Sequence, residues 1–247
     1  MIECRDLGKQ YGPKWAIRDL NLTIPAGAVY GFLGPNGAGK TTTIQMMVGL
    51  LRPTTGTVLI EGHDMVADPV AAKRCLGYVP DEPYLYEKLT GREYLEFTCA
   101  LFELRGHESK RRIDSLLEMF LIAGDQHQLI GSYSHGMRQK IALIAALVHE
   151  PQNLFLDEPT VGLDPGTARL LKDILAAEAA RGTTVLFSTH ILEIAENICD
   201  AVAIIHHGRA IATGSLGELR AGSQQGNHRL EDIFIELTAP TGEARPV

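Results

Sequence analysis

The 247-residue chain predicts an α/β fold with a mostly parallel sheet, an N-terminal antiparallel β part and a helical subdomain insert. Three patterns carry that expectation. Short apolar runs of strand type alternate with helical runs in both halves of the chain. Between about residues 84 and 150 the alternation gives way to helical spacing. A Gly-rich turn at 34–39 lies between an apolar strand and a helix.

In chain order, Ile2 to Tyr11 and then Leu20 to Ile24 read as a hairpin-like stretch. Val29 to Leu33 is an apolar strand. From Gly39 a helix runs to about Leu50 and stops ahead of Pro53, and Thr57 to Ile60 and Leu76 to Val79 read as short strands. From about Tyr84 to Ser132, residues such as Leu95, Ile113, Leu117, Phe120 and Leu121 recur at helical spacing with charges between them. A second α/β run follows. Its strands are Asn153 to Leu156, Thr183 to Phe187 and Ala201 to His206; its helices are Pro165 to Ala180 and Ile191 to Ile198. Asp164 stands where the first of those helices needs an N-cap, and Gly182 where it stops. The expected organisation is one domain over 1–222, with the helical insert at about 84–150, and a C-terminal tail over 223–247. That tail begins polar, carries a small docking element near Leu230 to Leu237, and ends frayed.

Composition narrows the function classes. Net charge is −7 and no basic tract exceeds Lys110-Arg111-Arg112, so nucleic acid is not the expected partner. The longest apolar run, Ile141 to Val148, has eight residues, far below the ~18 that cross a bilayer. The start, Met1 to Asp6, lacks a hydrophobic stretch of signal-peptide type, so a cytoplasmic location is expected unless another protein holds the chain at a membrane. Cys4, Cys75, Cys99 and Cys199 are widely spaced, which suits reduced thiols better than a zinc site or disulfides. His206-His207 reads as an exposed turn with no metal assigned.

Gly34-Pro35-Asn36-Gly37-Ala38-Gly39-Lys40-Thr41 matches the phosphate-loop pattern G-x-x-x-x-G-K-[ST] in its proper strand-to-helix context. Its glycines let backbone N–H groups converge on phosphate oxygens, and the helix N-terminus adds a favourable dipole. Lys40 can reach β- and γ-phosphates, and the Thr41 hydroxyl can ligate Mg²⁺. The expected core is therefore that of a P-loop NTPase, although this loop alone leaves kinase, GTPase and transporter open. Leu154-Phe155-Leu156-Asp157-Glu158 is an apolar strand ending in two carboxylates. Asp157 can serve Mg²⁺ at the sheet's C-terminal edge, and Glu158 can polarise the attacking water as general base.

Between these elements, Tyr133-Ser134-His135-Gly136-Met137 resembles the signature sequence of ABC ATPases, usually Leu-Ser-Gly-Gly-Gln. Ser134 and Gly136 are retained at a helix N-terminus that can form a second phosphate cradle. The remaining order follows that family. Val161-Gly162-Leu163-Asp164 resembles its D-loop, Ser188-Thr189-His190 its switch-histidine loop, and Tyr11 the aromatic residue that stacks on adenine. Asp81 in Gly77-Tyr78-Val79-Pro80-Asp81 stands where the family usually carries glutamine; a carboxylate can ligate Mg²⁺ but only accepts hydrogen bonds. Tyr-Ser-x-Gly-Met and the tail Leu230-Glu231-Asp232-Ile233-Phe234 are most similar to the subfamily that powers drug, polysaccharide and cofactor-related exporters.

The resemblance implies an ATPase subunit of an ABC transporter, with ATP and Mg²⁺ as cofactors. It implies Lys40, Glu158 and His190 as catalytic residues, and Thr41, Asp157 and Asp81 as metal ligands. Nucleotide contacts would come from Tyr11, the loop from Gly34 through Thr42, Asp81, Ser134, His135, Gly136 and Asp164. The partners implied are a second copy in a head-to-tail dimer and an integral membrane permease subunit, which would hold the chain at the inner face of the membrane. Two rivals share parts of the pattern. A soluble ABC-type ATPase acting on DNA or ribosomes would carry long coiled coils or a second ATPase domain, and a P-loop nucleotide kinase would have no use for Ser134-His135-Gly136.

Overall fold

The fold follows from two sheets and the helices that their apolar faces demand. The computed structural model describes residues 1–160, 163, 165–222 and 229–238. Val161, Gly162, Asp164 and the tail segments 223–228 and 239–247 lie outside the described residues.

Strands β1 (Ile2–Tyr11), β2 (Lys14–Ile24), β4 (Thr55–Ile60) and β5 (His63–Asp64) form a four-stranded antiparallel sheet in the order β2-β1-β4-β5. Six further strands build the main sheet: β3 (Val29–Leu33), β6 (Leu76–Val79), β7 (Asn153–Asp157), β8 (Thr184–Thr189), β9 (Ala201–His206) and β10 (Arg209–Ser215). Their order is β10-β9-β3-β8-β7-β6, parallel except for the β10 edge. The predicted fold class is the one observed.

The uniform apolarity of the central strands has a simple cause: both faces are buried. Tyr30, Phe32, Phe155, Leu186, Ala203 and Ile205 pack toward the antiparallel sheet and helix α1 (Lys40–Met47). The alternate residues, among them Leu33, Leu154, Leu156, Phe187 and Ile204, pack into the opposite core. There they meet α5 (His135–Leu147), α6 (Pro165–Ala180) and α7 (Leu192–Ile198). The remaining helices are α2 (Pro69–Arg74), α3 (Gly91–Leu101), α4 (His107–Met119), α8 (Leu216–Gly222) and α9 (Leu230–Thr238). Leu95 of α3, Ile113 and Leu117 of α4, and Ile141 and Ile144 of α5 share the second core, so one face of each helix is spent on it.

Several local features differ from the sequence expectation, and β5, β10 and α8 are among the elements it did not include. β2 starts at Lys14 rather than Leu20, because register shifts in its pairing with β1 break the strict alternation that marks a strand. α1 ends at Met47, not Leu50. Gly49 adopts φ +69° and the N–H groups of Gly49 and Leu50 donate to the carbonyls of Met46 and Gln45, a Schellman stop ahead of Pro53. The short helix α2, capped by Asp68 and opened by Pro69, has no counterpart among the elements that the sequence pattern predicts.

α3 begins with a full capping box: Thr90 Oγ1 accepts from Glu93 N–H at 3.2 Å, and Glu93 Oε2 accepts from Thr90 N–H at 2.8 Å. Replacing Thr90 with alanine is expected to lower the unfolding free energy by about 1 kcal/mol. Urea denaturation followed by circular dichroism tests this, and an unchanged midpoint would contradict it.

Candidate functional site

The parallel register brings the C-terminal ends of four strands to one edge. β3 runs into the Gly-rich loop, β6 toward Asp81, β7 into Asp157-Glu158, and β8 into His190. Such an edge is where open α/β sheets bind ligands. Beside it lies a cavity of about 440 Å³, lined by Tyr11, Lys14, Trp15, Ala16, Asn36, Gly37, Gly39, Lys40, Thr41, Thr42, Asp81, Glu158, His207 and Gly208.

The loop is shaped by a backbone that side chains would spoil. Gly39 takes φ +111°, and a Cβ there would come within 2.4 Å of the Ala16 carbonyl. That close approach docks the loop onto β2 and starts α1 at Lys40. Ala38 is buried beneath the loop and donates its N–H to the Pro35 carbonyl at 3.1 Å. Lys40 is only 6% exposed. Its Nζ donates to the Gly34 carbonyl at 2.8 Å, lies 3.4 Å from the Pro35 carbonyl, and sits 3.2 Å from Glu158 Oε1.

Glu158 is the hub of the edge. Oε1 faces Lys40, while Oε2 lies 3.0 Å from His190 Nδ1. Its backbone has φ +48°, a region that costs a non-glycine residue roughly 1–3 kcal/mol and that clusters at functional sites. Ser188 holds it there, accepting the Glu158 N–H at 3.0 Å and donating its own hydroxyl to Asp157 Oδ1. Asp157 is buried, and its Oδ2 has no hydrogen-bond partner among the described residues. A buried acceptor of that kind, with Thr41 lining the adjoining cavity, fits a hard divalent cation.

Asp81 adds a further carboxyl. Partial burial pushes its pKa up, and so do the charges of Asp157, Glu158 and Glu82, against a smaller opposing pull from His135. Tyr78 on β6 feels burial and the charges of Asp157 and Asp81, and its phenol is pushed up to about 12.

Ser134, His135 and Gly136 are not brought to this cavity. Ser134 caps α5, its Oγ accepting from Met137 N–H at 3.3 Å. Asp164 lies outside the described residues. Two contributors are not legible as such in the sequence. Ser188 stands there only as part of a histidine loop, and its role comes from lying opposite Asp157 in the β7–β8 register. His207 lies in an exposed turn, as the sequence suggests, and is also among the residues that line the cavity.

Fold and edge together define a class: an α/β nucleotide-binding protein of the P-loop type. The family model described as "ABC transporter" matches residues 17–161. The daunorubicin/doxorubicin resistance ATP-binding protein DrrA of Streptomyces peucetius is 41% identical over 94% of this chain and 71% of its own. The ABC transporter ATP-binding protein NatA of Bacillus subtilis (strain 168) is 38% identical over 89% and 91%. A solved ATP-binding subunit of an ABC transporter superposes with a TM-score of 0.92 at 34% identity, covering 96% of this chain and 99% of that one. The chain belongs to the ABC transporter ATP-binding family. It binds and hydrolyses ATP to energise transport through a separate membrane-spanning partner.

The acid cluster makes a titration prediction. Since the Asp157 charge helps to raise the Asp81 pKa, Asp157→Asn should bring it down toward the ordinary carboxylate range. Carboxyl-carbon NMR titration reads this directly; a pKa that stays put or rises would refute the coupling.

Proposed function

We propose that Lys40, Glu158 and His190 carry the hydrolysis, that Asp157, Thr41 and Asp81 hold Mg²⁺, and that two copies close head to tail over ATP. The observation that carries this reading is the Lys40–Glu158–His190 contact at the sheet edge. On ATP binding, Lys40 Nζ exchanges the Gly34 carbonyl and the Glu158 carboxylate for phosphate oxygens. Release of Oε1 leaves Glu158 free to accept the proton of an attacking water, while His190 keeps Oε2 oriented and faces the γ-phosphate. Mg²⁺, when bound, offsets the charge of the β- and γ-phosphates. Tyr11, half exposed on β1, stacks on the adenine. The loop from Gly34 through Thr42 wraps the phosphates.

Ser134, His135 and Gly136 serve the partner copy's nucleotide. The Ser134 oxygen already accepts the Met137 N–H, which leaves its hydroxyl hydrogen to donate to a phosphate oxygen. Asp164 belongs to the same dimer seam. A nucleotide that touches both copies only when they close shifts the equilibrium toward closure.

The ATPase domain spans 1–222, with a helical subdomain at about 84–150 and a tail from 223. The helical part meets the membrane partner. No helix among the described residues is long and apolar enough to cross a bilayer, and in this reading the partner holds the chain at the inner membrane face. An apolar groove of about 650 Å³ lies between α3, α5 and the segment after β6, lined by Tyr84, Tyr86, Phe97, Leu101 and Phe102 among others. Tyr84 and Leu101 are exposed there, and a groove of this kind suits an amphipathic helix of the permease. The drug-resistance names of several relatives support export as the direction.

Glu158→Gln is expected to keep ATP affinity, lower turnover by about 10²–10⁴-fold, and dimerise with ATP and Mg²⁺ in analytical ultracentrifugation. Near-normal hydrolysis would remove Glu158 as base, and a strictly monomeric variant at saturating ATP, with or without the permease, would remove the two-copy site. Phe97→Asp should abolish co-purification with the permease while ATP binding by the free chain stays at its wild-type level. Retained co-purification would move the docking surface elsewhere.

A further inference from the structure

The turn joining β9 to β10 is tied into the nucleotide cavity, although none of the recognised motifs includes it. His206 pairs with Arg209 across the hairpin, leaving His207 and Gly208 as a two-residue loop. Both have positive φ, +47° and +72°, as a type I′ turn requires. Gly208 has a structural reason to be glycine, since a Cβ would also lie 2.8 Å from the Ala16 carbonyl. Its N–H donates to the Ala38 carbonyl at 3.1 Å, and its carbonyl accepts the Arg18 N–H at 2.9 Å. The turn is thereby fastened to the phosphate loop on one side and to β2 on the other.

His207 has no such reason. A turn of this type is most easily made with Asn-Gly, Asp-Gly or Gly-Gly, and an imidazole adds bulk that the backbone does not need. Its ring packs on His206 with centroids 4.1 Å apart. His207 is among the residues that line the same cavity as Tyr11, Trp15 and Asn36, and it is exposed. The turn's bonds to Ala38 and Arg18 put His207 on the β1–β2 hairpin side, the side that carries Tyr11.

We infer that His207 is a nucleotide-contacting residue, its imidazole meeting the base-and-ribose end of ATP while Lys40 grips the phosphates. An imidazole offers an N–H donor and, when neutral, an acceptor nitrogen, which match ribose hydroxyls and the edge of a purine. This rests on the nucleotide site proposed above. It adds to that site a side chain that selects for a nucleoside rather than for polyphosphate alone.

The test is calorimetric titration of the full chain with ATP, ADP and inorganic tripolyphosphate. The proteins compared are the wild type, His207→Gly, His207→Asn and Lys40→Ala. Glycine and asparagine both tolerate the turn's positive φ, so the fold is kept. Loss of one hydrogen bond should weaken ATP and ADP about 2- to 10-fold in His207→Gly, with tripolyphosphate unchanged, and His207→Asn should fall between it and the wild type. Unchanged affinity for all three ligands overturns the inference. So does equal weakening of all three, because the turn would then act only by holding the phosphate loop. Lys40→Ala tests the underlying site separately. Wild-type affinity for all three ligands in that variant would mean that the phosphate site is misplaced. Their loss would uphold the site, and the two His207 variants then decide the inference by themselves.

Discussion

The parallel pairing of β3, β8 and β7 is the constraint from which the chemistry of this protein follows. Leu33 stands opposite Thr189, and Asp157 opposite Ser188. That register delivers the phosphate loop, the acidic pair and the histidine to one edge. A slip of one residue would turn Asp157 to the other face and part it from Ser188. The register is protected by burial, because alternate residues of every central strand fill two different cores and neither set can be exchanged for the other.

At that edge one carboxylate links the work of two other side chains. Glu158 touches Lys40 with one oxygen and His190 with the other, from a backbone conformation that most residues avoid. Ser188 makes the conformation tenable by satisfying the Glu158 N–H. The surrounding charge is lopsided: Asp157, Glu158 and Asp81 converge, with Lys40 the buried cation among them. A cation-loaded polyphosphate suits such a place, since the metal offsets the acids while the loop's amides and Lys40 meet the phosphate oxygens.

The signature segment stands apart from this cavity, at the N-terminus of α5, and the apolar groove lies between α5 and α3. One helix thus has a capping serine at its start and lines the groove near its end, through Ala142, Ala145 and Ala146. In the proposed reading, this element with its polar tip and apolar flank is a short mechanical path between nucleotide and membrane partner. Its rigidity has a visible source, since Ile141 to Val148 are all buried.

The parts that act over a few residues can be read from the amino-acid pattern alone. The glycines and Lys40 of the phosphate loop, the Asp157-Glu158 strand end and the helical spacing around Leu117 are legible because backbone freedom, charge and periodicity are local properties. The same locality explains what stayed hidden. Register shifts in β1 obscured the first half of β2, and Gly49 stopped α1 earlier than Pro53 suggested. Three contacts emerge only in the folded chain: Ser188 supports Glu158, Lys40 shares that carboxylate with His190, and His207 lines the cavity of Tyr11. Those contacts join segments far apart in the chain, and they exist because burial of two cores and parallel strand pairing, summed over the whole fold, bring them together.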